Sequence, residues 1–523
     1  MYERRTTIDV PPSATLNERI KALFPPCAIF HCEPERLNTL SERRMRQMSR
    51  TVRAKPDWIK MLDDADMRAA WAAEARAQEL TDAEFAYVLD ELAYYASLHL
   101  PDCSAKLSTA DDVWYSDTLI DAETTNELKR RVAILEDVPD RQKDWYPEGQ
   151  SRVLNLIDPS LYPLIYKSSR LCRQSSTSPL AALTLEAFRV DDNGAVTIES
   201  YINNLHPIKH KALYLIIASV FSKFLPLLEQ VVTDVVHPRQ PRVKPDASKY
   251  YTSNIPMPAQ HGDDYDQWKA QADFVPPQPE PFVVPVRPAT PHSLRSRRLQ
   301  VIVRMSHVEL TPENSIYSDK EWKLAGLANE RIIATCVFFY DVANVAPSSL
   351  RFREAISSWD YEADSHDVDS MTKAYGLDET MVHDEYFLSQ EVGNIDIKDG
   401  QCLVFPGVYQ YQMPELKLED STKPGHCKML TLYLVDPSTR IPSTEIVPPQ
   451  QKDWWKEDVR CSEPFCNLPL LITDRIVKRV DYPISLEDAK KLRRDCAEQY
   501  RWVVSDISYN DFEPCFDYAG TLY

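Results

Sequence analysis

Glycine is scarce in this chain, with 10 in 523 residues, and no arrangement of them spells G-x-G-x-x-G or G-x-x-x-x-G-K-[ST]. Without such a loop there is no backbone cradle for a pyrophosphate, so dinucleotide-binding and P-loop readings are excluded. The G-x-S-x-G elbow and the H-E-x-x-H helix are missing as well, which removes the commonest hydrolase signatures. Basic charge is in deficit: 60 Lys and Arg against 79 Asp and Glu give a formal charge of −19. That is the wrong sign for displacing counterions from nucleic acid. No run approaches the roughly 18 apolar residues of a membrane span, and the start MYERRTTIDVPPSATLNER has no apolar signal core. The expected partner is a small molecule, with no nucleic acid and no membrane, and the expected location is cytoplasmic. The 11 cysteines are odd in number and scattered from Cys27 to Cys515, which suits reduced thiols better than a secreted disulfide framework. Cys461 and Cys466 in CSEPFC lack the tighter spacing and the second pair of a structural zinc site.

What is present suits a folded protein, since 43% hydrophobic and 27% charged residues are ordinary globular values. Capping boxes at Thr39 to Glu42 and Thr81 to Glu84 precede apolar stripes, Met45, Met48 and Val52 in one case and Phe85, Val88, Leu89 and Leu92 in the other. A long helix is expected from about Lys211 to Val236, with Leu213, Ile217, Val220 and Phe224 on one side and a kink at Pro226. Twelve prolines between Pro238 and Pro291 exclude a continuous helix or central strand there and predict an extended surface crossing. Beyond it come short β-rich runs, Leu299 to Met305, Ile332 to Tyr340, Gln401 to Phe405 and Met429 to Val435, then a capped helix starting at Ser485. Strands separated by irregular loops suit a jelly roll or sandwich.

Several longer phrases resemble a fungal protein family of unknown function: TLSERRMRQM, KPDW, SDTLI, DPSLYPLIY, YINNLHP, ELTPENSIY through NERIIATCVFFYD, LVFPGVYQYQ, DSTKPGH, LVDPSTRIPST and VPPQQKDWW. Together they span nearly the whole chain. The resemblance implies an α+β protein with a double-stranded β-helix core, cupin-like, of the Fe(II)/2-oxoglutarate oxygenase type. It further implies a mainly helical region at 1–237, the Pro-rich crossing at 238–297, the core at 298–460 and a C-terminal helical extension at 461–523. The family pattern carries a His-x-Glu pair, a distal His and a basic residue for the 2-oxoglutarate carboxylate.

This chain departs from that pattern at every presumed ligand. A Trp-His-Val-Glu-Gly phrase is replaced by Trp322-Lys323-Leu324-Ala325-Gly326, and Gln-His-Arg by Gln410-Tyr411-Gln412. Where Arg follows Gly-His, Cys427 and then Lys428 stand. An ammonium repels Fe(II) and Ala325 offers no lone pair, so the resemblance implies a degenerate metal site with no cofactor. Lys323 and Tyr411 are then the candidate catalytic groups, stabilising negative charge on a substrate carbonyl. Trp322, Asn329, Gln410, Lys428 and Tyr317 are expected to bind substrate. Three functions follow. The first is a metal-independent isomerase or cyclase of fungal specialised metabolism. The second is an Fe(II)/2-oxoglutarate oxygenase with a relocated site at His307, Glu309 and His426. The third is a non-catalytic binding or scaffold protein.

The other candidates have plain readings. His261-Gly262-Asp263 spells H-x-D without a strand around it, His206 and His210 flank a helix start, and His366 and His383 sit among acidic residues. Trp454 and Trp455 are expected to anchor a loop to the core.

Overall fold

A computed structural model of the chain describes residues 36–100, 104–146, 152–165, 181–256, 258, 263–285, 291–356, 368–377, 387–480 and 483–514. His261, His366 and His383 lie outside the described residues. The helices needed below are α1 (Leu40–Arg53), α2 (Asp82–Ser97), α3 (Ala122–Glu136), α4 (Lys211–Val236) and α5 (Leu486–Ile507). The strands are β1 (Trp114–Ser116), β2 (Val153–Ile157), β3 (Glu186–Val190), β4 (Arg297–Leu310), β5 (Ile316–Tyr317), β6 (Ile332–Ala343), β7 (Ser349–Glu354), β8 (Gln390–Asp396), β9 (Cys402–Pro406), β10 (Gln410–Gln412), β11 (Leu416–Lys417) and β12 (Gly425–Val435). The protein is thus a mixture of helix and sheet.

Local chemistry sets the helix starts. Thr39 and Thr81 accept backbone N–H groups from Glu42 and Glu84, each at 3.2 Å, and Ser485 accepts from Asp488 at 3.1 Å. The apolar stripes then bury: Met45, Met48, Val52, Val88 and Leu92 share one cluster. α4 runs unbroken through Pro226. By length and composition it would cross a membrane, which counting uninterrupted apolar residues had missed. Here Ile217, Val220, Phe221 and Phe224 are fully buried against the sheet instead. Burying each is worth about 1.5–3 kcal/mol.

β1, β9, β6, β12, β4 and β2 line up in that order in one antiparallel sheet, and β3 adds to β4. The sheet therefore draws strands from both sides of the Pro-rich segment, and the expected boundary at 238–297 does not divide it. β8, β7 and β10 form a small sheet, and β5 pairs with β11.

Alternation along the strands separates two layers. Val301, Val303 and Met305 of β4 face α3 and α4, together with Leu430, Leu432 and Leu434 of β12 and Cys336 and Phe338 of β6. Val308, Leu310, Val337, Phe339, Leu403, Phe405 and Cys427 face the other way and meet Leu350, Phe352 and Val392 of the small sheet. The rings of Phe352 and Phe405 lie 5.0 Å apart across this inner layer. Gly407, in the turn from β9 to β10, lies so close to the Ile332 carbonyl that any Cβ would collide with it. That close approach sets where β10, and with it Tyr411, enters the layer.

Candidate functional site

Lys323 and Tyr411 are 88 positions apart in sequence yet directly opposed. The Lys323 N–H donates to the Tyr411 carbonyl at 2.8 Å, and the Tyr411 N–H donates back at 2.9 Å. Opposed residues of an antiparallel bridge project to the same side. Tyr411 packs on Phe405 at 5.3 Å between ring centroids, so that side is the inner layer. The Lys323 ammonium is ion-paired with Asp319, which also accepts the Tyr317 hydroxyl at 3.3 Å. Ala325 lies in one apolar cluster with Ile302 and Tyr433.

Two residues that sequence reasoning missed complete the group. Arg304 shares the inward phase of β4 with Ile302, Ser306 and Val308, and Tyr433 lies on the inner face of the adjacent β12. The Tyr433 hydroxyl lies between the Arg304 guanidinium and the Tyr411 hydroxyl, close enough for each to act on its acidity. Burial pushes the pKa values of Tyr411, Tyr433 and Tyr317 up, so all three stay protonated near neutrality. α5 covers this end of the layer, where the Tyr500 hydroxyl donates to the Leu324 carbonyl at 2.8 Å. Below it, burial outweighs hydrogen bonds from the Leu183 and Leu327 amides and pushes Glu330 up to about 7. A signal for Arg304 was available: it is a lone charge inside the apolar run VIVRM.

The other expected substrate-binding residues divide between faces. Tyr317 is in the inner layer. Trp322 and Gln410 are on the outside of the small sheet. There the Arg353 guanidinium lies 4.3 Å above the Trp322 ring, its Nε donates to Gln410 at 2.8 Å, and Gln410 donates to Ser508 at 2.7 Å. They fasten the chain's end to the small sheet. Asn329 stands in the loop entering β6, its buried Nδ2 without a hydrogen-bond partner among the described residues. Lys428 is a correction. It neighbours inward-facing Cys427, so it projects to the helix side, where it pairs with Glu136 of α3 at 2.8 Å. The thiol that does face inward is pushed up to about 12 by burial, so Cys427 is a neutral filler.

His307, Glu309 and His426 share that helix-facing side. His307 Nδ1 is 2.9 Å from Glu136, and Nε2 contacts the Tyr340 hydroxyl. His426 pairs with Asp341 at 3.0 Å, and Asp341 also holds Lys129 at 2.8 Å. The two histidines are thus held by different carboxylates with the Lys428 ammonium near both. Among the described residues no three His, Cys, Asp or Glu side chains converge to hold a metal. The inner side chains Lys323, Ala325 and Tyr411 offer Fe(II) an ammonium, a methyl group and a protonated phenol, with no imidazole or carboxylate among them, and Arg304 adds a further cation.

A cavity of about 1110 Å³ lies elsewhere, among α1, α2, the Pro-rich segment and the end of α5. It touches Leu324 and Tyr409 but neither Lys323 nor Tyr411. Its wall holds Arg242, which pairs with Glu91 at 2.8 Å and Asp111 at 3.0 Å, while Arg53 pairs with Asp111 at 2.8 Å.

A family model described as protein of unknown function, DUF4246, matches residues 82–188 and 182–458. The chain belongs to this family. Among curated proteins none matches. This DUF4246 protein is similar to the solved structure of a bsmA homolog from Methylobium petroleophilum PM1, with 8% identity over 61% of this chain and 87% of that one at a TM-score of 0.27. The Fe(II)/(alpha)ketoglutarate-dependent dioxygenase TqaL gives 9%, 61%, 91% and 0.22. IDO from Bacillus thuringiensis gives 6%, 62%, 89% and 0.27. Likeness at these scores says nothing of chemistry.

Proposed function

We propose that this protein is a metal-independent enzyme on an oxygenase-like scaffold, of isomerase or cyclase type, acting on a small carbonyl compound in the cytoplasm and in fungal specialised metabolism. The strand order supports a double-stranded β-helix: β9, β6, β12 and β4 face β8, β7 and β10, with Lys323 beside β10. The observation that carries the reading is the direct opposition of Lys323 and Tyr411 on the inner face, with Tyr411 backed by Tyr433 and Arg304. Such a donor set is complementary to negative charge growing on oxygen. In the proposed step a carboxylate, Asp319 beside Lys323, takes a proton from the carbon next to a carbonyl. The electron pair moves onto the carbonyl oxygen, Tyr411 and Lys323 hold that enolate, and the proton returns at another carbon. Nothing is oxidised.

A binding role without turnover is the second reading, supported by the position of the 1110 Å³ cavity away from Lys323 and Tyr411. The test of metal independence is iron content after anaerobic loading with Fe(II), against a Lys323→His/Ala325→Glu/Tyr411→His comparator. No iron in the natural protein and uptake by the comparator is the expected result. Near-stoichiometric iron in the natural protein refutes the proposal.

A further inference from the structure

Three of the arginines buried in this protein have carboxylate partners. Arg53 has Asp111, Arg242 has Glu91 and Asp111, and Arg493 has Asp158 at 2.7 Å. Arg304 is the exception in the inner layer, with no carboxylate within ion-pairing distance among the described residues. Asp158, whose charge reaches Arg304, is already committed to Arg493. The polar group beside Arg304 is a neutral phenol, Tyr433. A half-buried guanidinium without a counter-ion has given up part of its hydration with no opposite charge in return. Arg304, Tyr411, Lys323 and Asp319 are also only half-buried, so solvent reaches this end of the layer.

We infer that Arg304 is the docking point for a carboxylate on the substrate, which supplies the missing negative charge. Charge and shape select the class. Lys323 is neutralised by Asp319, which leaves one net positive charge around Tyr411 and Tyr433. That balances a monoanion and leaves a phosphate dianion in excess. The guanidinium fork matches the two oxygens of a carboxylate, and the Tyr411 hydroxyl is a further donor beside it. The position is not the one that the family resemblance assigns to a basic residue. That position is Cys427, opposite Val308, whereas Arg304 is opposite Thr431. The carboxylate therefore lies further along the layer, next to Tyr433, with the substrate carbonyl toward Tyr411 and Lys323. This rests on the proposed function for the rest of the substrate, but the anion site itself does not need that reaction.

The test uses the full chain in a chelator and the smallest carboxylates, formate and acetate, which fit wherever a carboxylate can pair with Arg304. Their neutral amides, inorganic phosphate and chloride at matched ionic strength are the controls. Thermal unfolding of the natural protein should shift upward saturably by a few degrees with formate and acetate and with none of the controls. Arg304→Met should remove the shift, and Arg304→Lys should weaken it while keeping its sign. Arg304→Gln serves as the polar variant should Arg304→Met fail to fold. An unshifted natural protein, an equal shift in Arg304→Met or Arg304→Gln, or a larger shift with phosphate overturns the inference. Iron content after anaerobic Fe(II) loading, measured on a chelator-free portion of the same preparation, separates the two proposals. A carboxylate shift with stoichiometric iron removes metal independence and keeps the Arg304 site, and the reverse pattern does the opposite.

Discussion

The wall of the large cavity and the layer between the two sheets each bury arginine, and they treat it differently. In the wall, Arg242 reaches three carboxylates, Glu42, Glu91 and Asp111, and the network closes on itself. In the layer, Arg304 is given phenols and no counter-ion. A closed network is accounted for by the fold alone, whereas an open one points outside the chain to a ligand. Burial and charge alone do not distinguish them; the pairing does.

The sharpest way to break this contrast is to remove both arginines in turn. Arg242→Met leaves Glu91 unpaired and Asp111 with Arg53 alone, and urea unfolding should show a loss of about 3–5 kcal/mol. A loss below about 1 kcal/mol would mean that the wall network does not hold the fold.

Next in size come two carboxyls with opposite slopes against pH. Burial would raise Glu136, but hydrogen bonds from His307 and Lys428 outweigh it and bring it to about 2. Burial keeps His307 itself lowered and neutral, so Lys428 supplies the charge. A carboxyl lowered from 4.5 contributes stability that is present above pH 4.5 and lost as pH falls toward 2. Glu330, raised to about 7, contributes stability present below pH 4.5 and lost as pH rises through 7. Each slope is on the order of 1–3 kcal/mol in total. Stability measured from pH 3 to 8 should lose its acid-side fall in Glu136→Gln and its neutral-side fall in Glu330→Gln. Unchanged profiles would show that neither carboxyl is held as described.

Arg304→Met should leave unfolding in the absence of ligand unchanged or raise it by about 1 kcal/mol, opposite in sign to Arg242→Met. A loss as large as that of Arg242 would erase the contrast. Smallest is Lys323→Met: its side chain is 34% exposed, so loss of the pair with Asp319 should cost under about 1 kcal/mol. A larger cost would assign Lys323 to the fold rather than to the site.

Much of the scaffold was legible in the sequence because periodicity reports it. Capped helices begin at Leu40, Asp82 and Leu486, and the β-rich runs after residue 297 are the long strands. β1, β2 and β3, with three to five residues each, are too short to show a period, so their part in the large sheet could not be read. Lys323 and Tyr411 were reached through family phrases, and the backbone opposes them. Trp322 and Gln410 adjoin them in sequence and Lys428 follows the basic position of the family pattern, but on a strand the next residue faces the other way. Arg304 has no phrase to mark it. Its meaning depends on which carboxylates fold elsewhere, a fact of tertiary structure alone.

The alternation of Cys427 and Lys428 on β12 has an evolutionary corollary. A chain with a cation lining the inner layer at this point differs from this one by phase, not by chemistry. Deleting one residue from the Asp420–Gly425 turn while keeping the pairing of β12 would rotate Lys428 inward and return Cys427 to the turn side. It would also turn Leu430, Leu432 and Leu434 away from the helices. Indels here should therefore be far rarer among relatives than substitutions, and loss of a basic residue from the layer is easier to acquire by point mutation than to reverse by sliding the strand.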